Sequence, residues 1–227
     1  MGTYKSISDW HHFRLRLFLE GILTGIFAGL VISLFRWGLT VAEEWRVNFY
    51  QELVERDWSA TALWFVALLF IGAVLYKLTC YEPMAAGSGI PQVKGALLGL
   101  IKMRWFHIMW VKLTAGIIGI GAGLSLGREG PSIQLGAVAA QGVSRLLGRT
   151  RMEERYLMTS GASAGLAAAF NAPLAGVIFA LEELHRNFSI MVLLPSMAAA
   201  MTATVISRAL FGGETVFVFD NLQSFPL

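Results

Sequence analysis

The residues Gly127-Arg128-Glu129-Gly130-Pro131 place a base and an acid inside an apolar stretch that spans approximately residues 108–147. Proline favours the first turn of a helix, because its fixed φ suits the helix and its missing N–H would have no partner there. The segment is therefore predicted to be a charged helix start at membrane depth. An ionisable group in a bilayer costs at least about 2.5 kcal/mol, so it needs a partner or a function. The pattern points to the handling of ions.

The composition is that of a polytopic membrane protein. The 227 residues are 56% hydrophobic and 15% charged, whereas soluble domains carry about 25% charged residues. A helix needs about 20 apolar residues to cross the hydrocarbon core. Apolar segments of this length or near it cover residues 21–42, 60–78, 108–126, 157–181 and 190–210. Two shorter segments, 90–101 and 133–147, are expected to form partial or tilted helices.

The charge pattern predicts how the chain lies in the membrane. The basic residues flank apolar segments, so the net charge of +3 does not indicate nucleic-acid binding. Lys5, Arg14 and Arg16 precede the first span and predict a cytoplasmic N-terminus. Residues 1–20 lack the apolar core and cleavage site of a signal peptide, and we expect an interfacial helix there. We expect a transmembrane unit over residues 21–211 and a polar connection over 212–227.

The sequence offers no pattern for a disulfide or a cofactor. Cys80 is the only cysteine, so an internal disulfide is impossible. The four histidines lack metal-ligand spacing, and we expect no metal and no other cofactor; they are His11, His12, His107 and His185.

Glycines recur four residues apart in four segments. Such spacing gives a helix a smooth stripe along which a neighbouring backbone can approach closely. The pattern predicts tight helix packing at Gly21, Gly25 and Gly29; Gly95 and Gly99; Gly119, Gly123 and Gly127; and Gly161 and Gly165.

Three helix starts are led by a proline, in residues 87–91, 127–131 and 171–173. A helix N-terminus leaves up to four backbone N–H groups free and carries roughly half a positive charge, so it attracts anions. Broken helices that aim such ends at one point near the midplane occur in transporters. The simpler alternatives are a helix cap for Ser88 and for Asn171, and a local ion pair for Arg128 with Glu129.

Three stretches resemble the CLC family of chloride channels and chloride/proton antiporters. They are GSGIPQVKG at residues 87–95, GREGPSIQLG at 127–136 and GASAGLAAAFNAPLAGVIFALEEL at 161–184, in the order and at the separation typical of the family. The similarity covers nearly the whole chain from about residue 18. It implies an all-α polytopic membrane protein with tilted and broken transmembrane helices, forming one half of the CLC inverted-repeat architecture. It also implies a homodimer, and we expect a bacterial plasma (inner) membrane as its location.

The resemblance assigns a chloride site to the first two helix starts. Ser88 takes the role of the serine that coordinates the central chloride, and members selective for nitrate or fluoride tend to replace it. Glu129 takes the role of the external gate, which occupies the chloride site when ionised and leaves it when protonated. The expected chloride-binding residues are Ser88, Gly89, Ile90, Arg128, Glu129 and Gly130.

The resemblance also assigns a proton relay to the second glutamate of an adjacent pair, Glu183. Helical spacing favours the same residue, because Glu182 has Arg186 four positions on whereas Glu183 faces Asn187. Glu183 is thus expected to be the freer acid. Channel members often lack an acid at this position, so Glu183 favours an antiporter.

The predicted function is chloride/proton antiport, with chloride, protons and the lipid bilayer as partners, and the alternative is a passive chloride channel. Family members are about twice as long, and their second half adds a Gly-x-Phe-x-Pro helix start and a tyrosine to the chloride site. Neither that motif nor a second half occurs here. We expect this chain to be the N-terminal half, which needs the C-terminal half to complete the anion site.

Two further functions are alternatives to transport, although no enzymatic activity is expected. Gly161-Ala162-Ser163-Ala164-Gly165 resembles the nucleophile loop of an intramembrane serine protease. Rhomboid-type sites place glycine directly after the serine and a histidine on a later span. Here Ala164 follows the serine and His185 lies in a polar break, which argues against a protease. The remaining alternative is a half-subunit that assembles without transporting.

Overall fold

The computed structural model describes the backbone of residues 2–54, 58–186 and 188–213, with side chains over 13–53, 58–186 and 188–213. These residues form helices and contain no strand, which confirms the all-α prediction. The helices are α1 (Gly2–Val54), α2 (Trp58–Tyr81), α3 (Ile90–Leu98), α4 (Trp105–Gly121), α5 (Glu129–Leu146), α6 (Arg151–Phe170), α7 (Pro173–Phe179) and α8 (Ile190–Phe211), with a 3₁₀ turn at Pro83–Ala85 and a π-helical segment at Ala180–His185.

Three of the described helices are long and apolar enough to cross a membrane, namely Phe13–Leu53 within α1, α2 and α8. A shorter apolar helix is α4. Helix α3 has nine residues, which corresponds to about 14 Å and is far less than the roughly 30 Å hydrocarbon core. The prediction of a partial helix after residue 90 is therefore confirmed.

Two predicted segments differ in extent from the helices. The first span continues towards the N-terminus without a break, because α1 begins at Gly2 and includes residues 2–20. The apolar segment 157–181 is divided between α6 and α7. Asn171 ends α6 in the left-handed conformation with a φ of 59°, and Pro173 then begins α7. The proline cannot continue the α6 hydrogen-bond pattern, because it has no N–H to donate.

The glycine stripe of α1 packs against α8 over three successive turns. A Cβ added at Gly21 would lie 2.7 Å from the carbonyl oxygen of Pro195, and one added at Gly25 would lie 2.5 Å from that of Ala199. At Gly29 the added atom would lie 2.9 Å from the Cα of Ala203. Backbones this close leave no room for a side chain, so the predicted packing role of this stripe is confirmed.

The centre of the fold is the crossing of α5 and α6. The α5 residues from Gly130 to Ser144 are buried with the exception of Pro131, and most of α6 is buried too. Gly136 lies against Gly161 and Gly165, and a Cβ added at Gly136 would approach the Cα of Gly165 to 2.9 Å. Helices α1, α4 and α8 pack around this pair. The small residues therefore fix how deeply the first turns of α5 enter the protein.

A group of charges ties α1 to the start of α6. Thr150 and Glu153 form a reciprocal capping box, and Glu153 also accepts a hydrogen bond from Arg16 of α1. Arg149 pairs with the buried Glu20 at 2.5 Å. Burial raises the pKa of Glu153, but the Thr150 hydrogen bonds and the charges of Arg16 and Arg149 outweigh it and leave the pKa below its ordinary value. The acidic and basic side chains between α1 and the start of α6 thus stabilise one another.

We predict that Gly25→Ala destabilises the protein by about 1–3 kcal/mol, because the added methyl group would force α1 away from α8. Thermal unfolding of the purified protein in detergent measures this effect. The matched control is Gly72→Ala in α2, where an added Cβ meets nothing within 4 Å. The control should unfold at the original temperature or above it, since alanine favours the helix over glycine. Equal losses in both variants would contradict the packing role of Gly25.

Candidate functional site

Ser88 and Glu129 line the same cavity, although they are 41 positions apart in the chain. The cavity has a volume of about 480 Å³ and lies between the starts of α3 and α5, with α2 and α4 forming the opposite wall. Gly87, Gly127 and Gly130 also line it. The structure therefore brings together the first two of the three proline-led helix starts.

The two helix starts are in direct contact at Gly130. A Cβ at this position would lie 3.0 Å from the carbonyl carbon of Ser88 and would overlap both Ser88 oxygens. Gly89 adopts a φ of 94°, a backbone conformation that favours glycine. A Cβ added at Gly89 would also lie only 2.7 Å from the Cβ of Gln134. Glycine at both positions thus lets two backbone segments meet beside the cavity.

Neither helix start that meets at this cavity has a side-chain cap among the described residues. The N-cap of α3 is Gly89 and that of α5 is Arg128, and neither N-cap residue accepts a side-chain hydrogen bond from the first turn of its helix. By contrast, Thr150 caps α6 and Ser189 caps α8. The alternative of Ser88 as the N-cap is therefore wrong. The first-turn N–H groups of α3 and α5 leave a positive end without an acceptor from a capping side chain.

Buried polar side chains hold the loop before α3 in place. Lys112 of α4 is only 4% exposed, and its ammonium donates to the carbonyl oxygens of Ala85 at 3.0 Å and Gly87 at 2.6 Å. Gln134 of α5 donates to the carbonyl of Met84 at 2.7 Å. These bonds turn the carbonyl groups of the loop towards Lys112 and Gln134. Ser88, the next residue of the loop, lines the cavity, with its hydroxyl oxygen beside Gly130.

Lys112 and Gln134 were not among the predicted site residues. The sequence did contain a signal for Lys112. It is a charged residue inside the apolar segment 108–126 and, like Glu129, it is costly to place in a bilayer. Gln134 carried no such signal, because a neutral amide in a helix is common. Its partner, the Met84 carbonyl, is 50 residues away in the chain and is defined only by the fold.

Arg128 and Glu129 occupy different surroundings. Glu129 is the first residue of α5, and its carboxylate folds back over Gly127 into the cavity. The Arg128 guanidinium lies over the ring of Phe170, 5.6 Å from the ring centre. Phe170 is the last residue of α6, so Arg128 joins the start of α5 to the end of α6. Its predicted contact with an anion stays a prediction.

Glu183 lies in the π-helical segment after α7 and forms an ion pair. The Lys94 ammonium of α3 donates to its carboxylate at 2.7 Å. Among the described residues, Glu182 has no ion pair within 4.0 Å. The expectation that Glu182 is paired and Glu183 is the freer acid is therefore wrong. Pairing of residues four positions apart requires an α-helix, whereas residues 180–185 are π-helical, and the partner of Glu183 comes from the distant helix α3.

The third proline-led start does not reach the cavity. Asn171 ends α6 and accepts a hydrogen bond from Arg208 of α8 at 2.6 Å. Gly176 of α7 packs against α6, where an added Cβ would lie 2.6 Å from the Ser163 carbonyl oxygen. The alternative of Asn171 as the cap of this helix start is wrong, because Ala172 is the N-cap of α7 and Asn171 is the C-cap of α6.

The residues of the protease alternative are not arranged as a nucleophile loop. Ser163 lies inside the continuous helix α6 and is fully buried. His185 contacts Thr159, with 3.3 Å between its Nδ1 and the hydroxyl oxygen, and its ring packs beside Tyr156. Burial lowers the pKa of His185. A buried helical serine has no open face for a substrate, which removes the basis of this alternative.

Comparison with known proteins places this arrangement in a family. The family model described as voltage gated chloride channel matches residues 67–227. The chain belongs to this family. It is 34% identical over 215 residues to the H(+)/Cl(-) exchange transporter ClcA of Vibrio campbellii, an alignment that covers 92% of this chain and 45% of the relative. It is 37% identical over 219 residues to ClcA of Cronobacter sakazakii, covering 94% and 46%.

Two solved antiporter structures show the same fold. A slow cyanobacterial Cl-/H+ antiporter superposes with a TM-score of 0.79 at 32% identity, covering 93% of this chain and 51% of that one. A CLC-type fluoride/proton antiporter superposes with a TM-score of 0.73 at 26% identity, covering 100% and 53%. The predicted CLC membership and the multi-pass membrane location are confirmed. The chain spans about half the length of these relatives.

We predict that Lys112→Met destabilises the protein by about 1–3 kcal/mol, because the carbonyls of Ala85 and Gly87 would be left in a cavity wall without their donor. Thermal unfolding in detergent gives the change. Lys77→Met in α2 is the control, since this lysine is exposed and lies on a helix without buried residues. A loss no larger than that of the control would contradict the role assigned to Lys112 in holding the loop.

Proposed function

We propose that the protein containing this chain exchanges chloride for protons across a membrane. Chloride binds at the starts of α3 and α5, Glu129 gates the site, and Glu183 relays protons. The observation that carries the proposal is the shared cavity of Ser88 and Glu129 beside two helix starts that lack side-chain caps. The names of the bacterial relatives, which are H(+)/Cl(-) exchange transporters, support the same reaction.

Neutral donors suit an anion that must bind and leave quickly. Each helix start contributes roughly half a positive charge, and the Ser88 hydroxyl adds a neutral hydrogen-bond donor. The contact at Gly130 directs both helix starts to the same volume, so their effects add. Backbone N–H groups of Gly89, Ile90 and Gly130 are the further donors that we assign to the chloride. Arg128 contributes positive charge from the side of Phe170.

Glu129 is placed to compete with a bound anion. Its carboxylate is tethered to the first residue of α5 and faces the cavity that Ser88 lines. When ionised, the carboxylate takes the place of chloride at the helix starts. When protonated, it loses the attraction of those positive ends and leaves the place to chloride. Proton binding and chloride binding are thereby linked at one residue.

The second half of the transport protein completes this site in our proposal. The cavity is not enclosed by this chain, and the relatives are about twice as long as this chain. We assign the open side to the C-terminal half, which adds its own helix start to the chloride. The whole transporter then acts as a homodimer in the bacterial inner membrane. Chloride rather than fluoride is the proposed substrate, because Ser88 retains the serine of the chloride-selective members.

Glu129→Ala is expected to abolish proton movement while chloride still passes, because alanine can neither carry a proton nor compete with chloride. The measurement is proton uptake driven by a chloride gradient in liposomes containing the full-length transport protein, with chloride flux followed in parallel. Glu44→Ala, at an exposed position of α1, is the control and should keep both fluxes. Proton uptake retained in Glu129→Ala would refute the gate. Absence of proton uptake in the unmodified protein would leave a passive channel.

Glu183→Gln is expected to reduce proton flux strongly and to leave chloride flux largely intact, because glutamine keeps the shape of the side chain but cannot ionise. The same liposome assay gives both fluxes. Glu182→Gln is the matched comparison, since this neighbouring acid is exposed and has no ion pair among the described residues. If the two variants lost proton flux equally, or if Glu183→Gln lost none, the relay would not be Glu183.

A further inference from the structure

The ion pair between Lys94 and Glu183 joins two elements that are 89 positions apart in the chain. The Lys94 ammonium lies 2.7 Å from the Glu183 carboxylate, and the side chains are 26% and 47% exposed. Both side chains are therefore partly accessible on the surface of this chain while they contact each other. A relay acid needs such access, because it must take its proton from solution.

Lys94 lies on the helix that also presents the proposed chloride ligand. Helix α3 begins at Ile90, directly after Ser88 and Gly89, and Lys94 is its fifth residue. The rise of an α-helix places Lys94 about 6 Å along the axis from Ile90. Val93 and Leu97 of α3 are buried in the core, so the helix is fixed as a unit. One short rigid helix thus contacts both proposed ion pathways.

The charges around Glu183 favour its ionised form. The hydrogen bond from Lys94 and the positive charge of Lys94 lower the pKa of Glu183, slight desolvation opposes them, and Arg186 adds to the lowering. The other titratable groups on this segment are Glu182 and His185. Tyr156 of α6 lies beside His185, and the described part of α7 and the first four turns of α8 carry no charged side chain. Lys94 is therefore the dominant cation at this carboxylate.

We propose that Lys94 is a positioning residue for proton transfer: its ammonium orients the Glu183 carboxylate and sets the pH at which this acid loads a proton. The inference rests on the proposed role of Glu183. Protonation removes the negative charge that Lys94 holds, so loading the relay releases the contact between α3 and the π-helical segment. A change in the pH at which Glu183 binds its proton therefore also changes the pH at which α3 loses its contact with the π-helical segment. Ser88 lies directly before this helix.

The test compares Lys94→Met with Lys94→Arg in the full-length transport protein. Proton uptake driven by a chloride gradient is measured in phosphatidylcholine/phosphatidylglycerol liposomes at a series of pH values that start equal on both sides. In Lys94→Met the midpoint of proton uptake should move to higher pH by about 0.5–1 unit, a shift reduced by the partial exposure of the pair. Lys94→Arg should keep the original midpoint, and chloride flux should persist in both variants.

Three further measurements test the role of Lys94 separately from the proposed function. Lys77→Met removes an exposed lysine of α2 and should leave the midpoint in place. In a Glu183→Gln background, Lys94→Met should change neither flux further, because Lys94 acts through that carboxylate. Raising the ionic strength with an impermeant salt should move the midpoint of the unmodified protein in the direction of Lys94→Met, which tests the pair without any substitution.

The outcomes are distinct. An unmodified protein without proton uptake at any pH refutes antiport itself. If Glu183→Gln reduces proton uptake but Lys94→Met has the same midpoint as the unmodified protein, only the role of Lys94 is refuted. A midpoint that moves equally in Lys94→Met and Lys94→Arg also refutes it, because the effect would then follow from side-chain shape and not from charge.

Discussion

The structure depends on the contact between the starts of α3 and α5. Two helix N-termini carry like partial charges, and their first-turn N–H groups lack side-chain caps among the described residues. Bringing such ends together is unfavourable unless an anion or an acid lies between them. Gly130 permits the approach, because any side chain would overlap Ser88. Glu129 supplies negative charge at the same cavity and so offsets the partial positive charge of the two helix starts.

The rest of the fold holds this contact in place. Glycines at the α5–α6 crossing bring α5 deep into the protein, and those of α1 draw α8 against the opposite side. The loop before α3 would leave its carbonyls unpaired, but Lys112 and Gln134 donate to them. The buried Lys112 ammonium is stabilised because the carbonyl oxygens of Ala85 and Gly87 accept hydrogen bonds from it. The residues that stabilise the fold thus also position the cavity that Ser88 and Glu129 line.

The two proposed ion pathways meet in one element. Helix α3 carries Ser88 before its first turn and Lys94 on its flank, and Lys94 contacts Glu183. A short helix packed into the core moves as one body, so a change at its flank is transmitted to its start. The proposed coupling of proton and anion would then require no long chain of contacts, because Lys94 is only six positions after Ser88.

The sequence by itself determined the membrane class, the helix starts at prolines, the glycine packing of α1 and the candidate residues Ser88 and Glu129, because these follow from local composition and spacing. Only the tertiary structure decided which starts meet: α3 and α5 share a cavity, whereas Asn171 bonds to α8. It also reversed the pairing at Glu183, since the cation comes from Lys94. Local spacing predicts partners within one helix. Contacts between distant helices depend on how the whole chain packs.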